Sequence, residues 1–278
     1  MNKGNKLTSH LSVHLILITY TLICIMPLVL VIINSFKTKK YIFTEPMLLP
    51  TPESFSLVGY QTVLEQGDFF GYFSNSITVT VLALFFVLLL GAMAAYALAE
   101  YKFKGSALLG LYLAVGIMIP IRLGTVGILD FVVDVGIENT LFALICVYIA
   151  QGLPLSVFIL TEFMRQLSSD LKDAARVDGL SEYAIFFRIV LPLIRPALAT
   201  VAVFTMIPIW NDLWFPLILA PGDEVKTVTL GTQQFIGQFV TNWNAVLSAL
   251  SLALVPVLIL YIIFSKQLIR GITSGAVK

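Results

Sequence analysis

The chain has 278 residues, of which 58% are hydrophobic and only 12% are charged. Because this charged share is about half that of an average soluble domain, we expect a bilayer rather than water as the solvent. The formal net charge of +1 gives no indication of a nucleic-acid partner. His10 and His14 are the only histidines, so no metal centre is expected, and Cys24 and Cys146 lie inside apolar runs, where packing is their expected role.

Apolar runs predict six transmembrane helices, so the expected fold class is all-α and polytopic, with residues 1–278 forming a single transmembrane domain. The first run follows Lys3 and Lys6, as in a secretory signal peptide. It is too long for such a peptide, however, and lacks a small-x-small cleavage site, so we expect it to remain as a span. The predicted spans are 11–33, 73–99, 106–128, 139–161, 193–219 and 245–265.

The lysines and arginines predict the orientation of these spans. With the N-terminus inside, twelve of the 17 cationic residues lie in cytoplasmic segments and five lie outside. An excess of lysine and arginine is typical of cytoplasmic loops, so we expect both termini in the cytoplasm. Lys37, Lys39 and Lys40 oppose this rule in the first outer loop, 36–72, whose prolines and glycines predict turns rather than a soluble domain.

The segment 162–191 is the one long polar interruption between two apolar spans. Its hydroxyl and carboxylate groups at 168–170 are typical of a helix start, and Gly179 can adopt the left-handed conformation that ends a helix. Apolar residues recur between these two points near helical spacing, at Leu167, Leu171, Ala174, Ala175 and Val177. Periodicity alone leaves two interpretations open, an amphipathic helix at the membrane surface without a partner and a docking element for another protein.

The motif Asp173-Ala174-Ala175-Arg176-Val177-Asp178-Gly179, followed by Ile189-Val190-Leu191-Pro192, resembles the EAA loop of ATP-binding cassette (ABC) importer permeases. Over almost its whole length the chain is similar to the carbohydrate-importer permeases, in particular to the second membrane subunit of maltose-type systems. Asp173 stands where that family has glutamate, and Lys172 stands where it usually has an acidic residue. Further matches are Ser35-Phe36-Lys37, Asn75-Ser76, Ala95-Tyr96-Ala97-Leu98, Met118-Ile119-Pro120, Gly152-Leu153-Pro154, Trp210-Asn211-Asp212 and the tail 271–278.

This resemblance implies a permease subunit of an ATP-driven, binding-protein-dependent sugar importer in the cell inner membrane, forming half of the translocation path. The implied partners are a second permease subunit, two ATPase subunits, an extracytoplasmic solute-binding protein, the bilayer and the sugar. The chain has no Gly-x-x-x-x-Gly-Lys-Ser/Thr loop, so we expect ATP hydrolysis on a separate subunit and no catalytic residue or cofactor here. The alternatives are a permease of the same class for a polyol or glycerol phosphate, and an ion-coupled secondary carrier that uses Asp212.

The resemblance also implies candidate functional residues. ATPase docking is implied for Leu171, Asp173, Ala174, Ala175, Asp178 and Gly179. Contact with the binding protein is implied for the last outer loop, 220–244, at Pro221, Gly222, Thr227 and Thr229.

Two further groups of polar residues have alternative interpretations. Carboxylates at membrane depth are rare and usually face a bundle interior or a water cavity. Asp212, with Trp210 and Asn211, is therefore a candidate for the translocation path, the alternative being a buried structural hydrogen bond. Arg122 lies at the outer end of the third span, where it is interpreted as a solvated loop charge or a contact for the binding protein.

Overall fold

The computed structural model describes residues 3–237 and 240–274, and in this part of the chain the fold is all-α, with two isolated bridges and no sheet. The last four residues of the tail motif, 275–278, lie outside the described residues. The α-helices are α1 (Lys3–Ser35), α2 (Lys39–Thr44), α3 (Val58–Gln66), α4 (Phe69–Glu100), α5 (Ser106–Met118), α6 (Thr125–Val135), α7 (Leu141–Arg165), α8 (Ser169–Val177), α9 (Glu182–Ile185), α10 (Leu191–Leu193), α11 (Arg195–Asn211), α12 (Trp214–Leu219), α13 (Val228–Thr232) and α14 (Trp243–Ser274). Short 3₁₀ or π turns lie at Ile121–Gly124, Phe186–Val190, Asp223–Val225 and Gln233–Phe235.

Three helices of the described chain are long and apolar enough to cross a bilayer, at Val13–Ser35, Phe69–Glu100 and Leu141–Arg165. Two bent helix pairs meet the same criteria jointly. The first joins Ser106–Met118 to Ile121–Val135 at 88°, and the second joins Glu182–Leu193 to Arg195–Asn211 at 75°. The described part of the chain therefore has three such spans, or up to five if each bent pair counts as one. The sixth predicted span stays a prediction, because the apolar part of α14 in that region, Trp243–Ile259, is shorter than the 18 residues required of a span.

The third predicted span, 106–128, differs from a straight helix. It breaks at Ile119 and Pro120, where Ile119 has an extended ψ of 119°. Proline disfavours helical geometry in the residue before it, so α5 ends at Met118. The 13 residues of α5 are about 20 Å long, which is shorter than a hydrocarbon core of about 30 Å. The bend places Arg122 at the start of a second helical segment rather than at the end of a span.

The described chain divides into two compact units, Met1–Phe69 with Gly231–Val255, and Phe70–Leu230 with Pro256–Lys278. In the first unit Lys37, one of the cations that opposed the charge rule, is buried. Its ammonium group donates to the carbonyl of Glu45 at 2.7 Å and to Asn34 Oδ1 at 3.2 Å. Burial lowers the pKa of Lys37 below its ordinary value. The side chain is therefore committed to the loop that follows α1 and is not a free surface charge.

In the second unit α4 and α7 approach each other closely. A Cβ added at Gly91 of α4 would overlap the Ser156 hydroxyl of α7, and one at Gly152 would lie 2.8 Å from Val87. Ser156 donates to the carbonyl of Val87 at 3.2 Å. Small residues allow two membrane helices to approach to backbone contact, which fixes their relative position.

Two buried apolar clusters complete the second unit. The first surrounds Tyr148 and Phe215 and joins α4, α6, α7, α11 and α12. The second, which we call the docking-loop cluster, joins the end of α4 to α7, α8 and the start of α11. It consists of Ala92, Ala95, Tyr96, Leu160, Met164, Ala175, Ile185, Phe186, Val190, Ile194, Ala197 and Val201.

Candidate functional site

The polar segment between α7 and α11 forms the helix α8 that the sequence predicts there. The Ser168 hydroxyl accepts a hydrogen bond from the Asp170 N–H at 3.2 Å, which satisfies one of the free donors of the first turn. At the other end the Leu180 N–H donates to Ala175 O and the Gly179 N–H donates to Arg176 O, both at 3.0 Å. Gly179 has a φ of +80°. This pattern is a Schellman termination, which requires the left-handed conformation that glycine adopts without strain.

The apolar residues of α8 differ in their burial. Ala175 is buried in the docking-loop cluster, so its side chain packs inside the chain. Leu171, one turn before Ala175, is 53% exposed, and Val177 is 88% exposed. Asp173, Ala174, Asp178 and Gly179 are also exposed. Of the six candidate docking residues, five are therefore at the surface, whereas Ala175 holds α8 against its own unit.

Arg176 is the centre of an ion-pair network on the inner side of α8. Its guanidinium group donates to Glu182 Oε1 at 2.8 Å, to Asp173 Oδ1 at 2.7 Å and to Glu100 Oε1 at 2.6 Å. Lys172, which is buried, forms an ion pair with the other oxygen of Glu100. Two cations of α8 thus share the carboxylate at the end of α4, and such charge-assisted hydrogen bonds are stronger than neutral ones.

Glu182 extends this network to two tyrosines. Its Oε2 accepts hydrogen bonds from Tyr96 at 2.9 Å and from Tyr101 at 2.8 Å. The guanidinium of Arg176, together with the Tyr101 hydroxyl, holds the pKa of the Glu182 carboxyl well below its ordinary value. Sequence reasoning missed the roles of Glu100 and Glu182, because local patterns do not reveal which distant carboxylates face Arg176.

Asp212 lies between α11 and α12, with a side chain that is only 8% exposed. Its carboxylate accepts the backbone N–H groups of Trp214 at 3.3 Å and Phe215 at 3.1 Å, which are the first donors of α12. It also accepts the Tyr148 hydroxyl at 2.9 Å. The carboxylate is therefore bound by the backbone at the start of α12 and by a side chain of α7.

Arg122 supplies the charge that faces Asp212. Its guanidinium lies 3.3 Å from Asp212 Oδ1, although 65% of the Arg122 side chain is exposed. It also lies 5.8 Å from the centre of the Trp214 ring, within the range of a cation–π contact. The Trp214 indole N–H in turn donates to Thr125 Oγ1 at 3.0 Å. Local sequence patterns do not reveal this pair, because 90 residues separate the two charges.

The side chains of Trp210 and Asn211 make contacts that differ from those of the Asp212 carboxylate. Trp210 is buried and meets Phe73 edge to face, with ring centres 5.8 Å apart. Asn211 is exposed and donates to the carbonyl of Ile207 at 3.0 Å. The structure therefore divides this predicted trio into a packing residue, an exposed amide and a buried carboxylate.

The four predicted contact residues of the last outer loop differ in their exposure. Pro221 is exposed, and Gly222 is half-buried, with its N–H donating to Asn139 Oδ1 at 2.7 Å. Thr227 is buried and shares a hydrogen bond with Thr229 at 3.1 Å. Thr229 also donates to the carbonyl of Asp212 at 2.7 Å. The two threonines thus tie the loop to the Asp212 region.

Comparisons with known proteins agree with this fold. The family model described as "binding-protein-dependent transport system inner membrane component" matches residues 87–274. A putative ABC transporter permease protein of Caldicellulosiruptor sp. is 35% identical over 94% of this chain and 94% of its own length. A diacetylchitobiose uptake system permease protein of Streptomyces coelicolor is 33% identical over 94% of this chain and 87% of its own.

A solved structure shows the same fold. A chain of the crystal structure of a bacterial ABC transporter involved in the import of the acidic polysaccharide alginate superposes with a TM-score of 0.80. The superposition covers 96% of this chain and 98% of the other at 20% sequence identity. With the family model matching more than half of its length, the chain belongs to the binding-protein-dependent transport system inner membrane components, a family of ABC importer permeases.

Proposed function

We propose that this permease is one of two membrane subunits of an ATP-driven, binding-protein-dependent importer for sugars. The sugar class rests on the similarity to a diacetylchitobiose permease and on the fold shared with an alginate importer. In this proposal two separate ATPase subunits hydrolyse ATP, and an extracytoplasmic protein delivers the solute. Both termini and α8 lie on the cytoplasmic side.

The observation that carries the proposal is the exposed face of α8. Leu171, Ala174 and Val177 project away from the chain's own core, on a helix whose opposite face is fixed by Ala175 and the Arg176 network. Hydrophobic side chains in such numbers on a short polar loop favour burial against a partner. Three aspartates, Asp170, Asp173 and Asp178, border this face, so a partner surface with cationic groups at its rim complements it.

We place Asp212 beside the translocation path, in a positioning role. Its pair with Arg122 joins the bent third span to α12, and its main-chain carbonyl holds Thr229 of the last outer loop. Movement of that loop is thereby linked to the break between α11 and α12. The exposed guanidinium of Arg122 offers hydrogen-bond donors to a hydroxyl-rich solute.

An ion-coupled carrier that uses Asp212 is less compatible with this geometry. The carboxylate oxygens of Asp212 already accept two backbone N–H groups and a tyrosine hydroxyl, and they face a guanidinium. An ion that bound to this carboxylate would have to displace these contacts in each cycle. We therefore favour ATP-driven transport over this alternative.

Reconstitution tests the proposal. The permease is co-expressed with its second permease and its ATPase, purified as a complex and placed in liposomes, and uptake of labelled mono- and oligosaccharides is measured with the loaded binding protein. We expect uptake that requires both ATP and the binding protein. Leu171→Asp places a charge on the docking face and should release the ATPase, whereas Glu162→Gln, which alters only an exposed ion pair with Arg165, should not. Uptake by the permease without an ATPase would refute the proposal.

A further inference from the structure

The helix α4 has specific polar contacts at both of its ends. At its C-terminal end Glu100 forms ion pairs with Lys172 and Arg176, both of which belong to α8. One turn earlier the Tyr96 hydroxyl donates to Glu182, just beyond α8. The last turn of α4 is thus fixed to the proposed docking helix by side chains that are largely withdrawn from solvent, since Glu100 and Lys172 are each 11% exposed.

Near its other end α4 holds the backbone of the last outer loop. The Asn75 side-chain amide donates to the carbonyls of Glu224 at 2.8 Å and Lys226 at 3.0 Å. The buried hydroxyl of Ser76 accepts the N–H of Val228 at 2.9 Å. These bonds involve main-chain atoms of the loop, so they hold the loop backbone at residues 224–228 independently of the loop's side chains. The Asn75-Ser76 pair, a weak motif in the sequence, therefore has a defined structural role.

The helix between these two ends is suited to transmit movement. It has 32 residues without a proline, whereas the other two described helices of spanning length contain Pro27 and Pro154. Proline removes a helical hydrogen bond and commonly causes a kink. At 1.5 Å per residue, α4 is about 48 Å long, enough to cross the bilayer with both ends outside its hydrocarbon core.

We infer that α4 is the mechanical link between the ATPase-docking helix and the last outer loop, with Glu100 and Asn75 as the positioning residues at its two ends. The inference rests on the proposed function, because it assigns to α4 the transfer of movement that ATP causes in the docked subunit. A displacement of α8 moves the end of α4 through the ion pairs of Glu100. The same rigid helix then moves the loop at 224–228 through Asn75 and Ser76.

The test measures ATP hydrolysis by the assembled complex in liposomes, with and without the sugar-loaded binding protein. Glu100→Gln removes the charge that holds Lys172 and Arg176, and Asn75→Leu removes the amide donors at similar volume. Each is expected to reduce the stimulation by the binding protein about tenfold while basal hydrolysis remains. The conservative variant Glu100→Asp retains the charge and should keep more of the stimulation than Glu100→Gln does.

The double variant decides whether the two ends act through one link. If α4 transmits the movement, breaking it at either end has the same effect, so Glu100→Gln with Asn75→Leu should lose about tenfold rather than about a hundredfold. Multiplicative losses, or stimulation at the parental level in either single variant, would overturn the inference. Glu162→Gln is the matched control, an exposed carboxylate of α7 near the same loop. A parental complex that the loaded binding protein does not stimulate would contradict the proposed function itself, and this link with it.

Discussion

Gly179 gives the sharpest prediction, because its structural requirement is purely one of backbone conformation. Its φ of +80° lies in the left-handed region, yet a Cβ added there meets no atom of the described chain within 4 Å. A substitution therefore strains the backbone without causing a steric clash inside the permease. For an L-residue this strain is about 1–2 kcal/mol, and asparagine tolerates the conformation better than most residues.

The size of the effect follows from the Schellman termination. A strain of about 1–2 kcal/mol changes the population of the properly ended helix by roughly 5- to 30-fold. We expect stimulated ATP hydrolysis in liposomes to fall in the order glycine, asparagine, alanine and valine at position 179, with valine close to the basal rate. Insertion into the membrane should be unchanged, because only the end of a short exposed helix is altered.

The order of asparagine and alanine is the decisive measurement. If the ATPase fills the space beside Gly179, the larger asparagine is the more harmful of the two, whereas backbone strain makes alanine the more harmful. Better activity with alanine than with asparagine would refute the strain argument. Undiminished hydrolysis with valine would show that the helix end has no part in coupling.

Three further predictions concern the rest of the chain. Asp212→Asn keeps an acceptor for the start of α12 but removes the ion pair with Arg122, so the complex should assemble while sugar uptake falls strongly. Parental uptake by an assembled variant would remove Asp212 from the path. In a background without the native cysteines, a cysteine at Ser274 should be labelled only from the cytoplasm and one at Asp223 only from outside, and the reverse pattern would overturn the topology. Gly91→Leu should lower the unfolding temperature of the purified complex, because it forces α4 away from α7 at a cost of about 1–3 kcal/mol or more, whereas Gly110→Leu, with open space at its Cβ, should not.

The membrane class, the approximate spans and the start and end of α8 depend on local sequence, so they can be predicted from the chain alone. An apolar run long enough to cross the hydrocarbon core predicts a span whatever its neighbours are. Likewise, Ser168 and Gly179 act within one or two turns of α8, so the start and end of that helix follow from residue types at fixed spacing. The sequence alone was therefore sufficient to predict the helix that carries the proposed docking residues.

Contacts between residues that are distant in the sequence were decided only by the tertiary structure. The sequence placed Ala175 on the docking ridge, but the side of α8 that faces the core depends on where α4 and α11 lie. Arg122 pairs with Asp212 across 90 residues and Glu100 with Arg176 across 76, and the sign of a charge does not specify which opposite charge it will meet. The sequence determined that this protein spans a membrane and that a polar helix, which we propose to dock an ATPase, lies between two apolar spans. The packing of its helices determined which charges hold that helix in place, because only the folded chain brings them within hydrogen-bond distance.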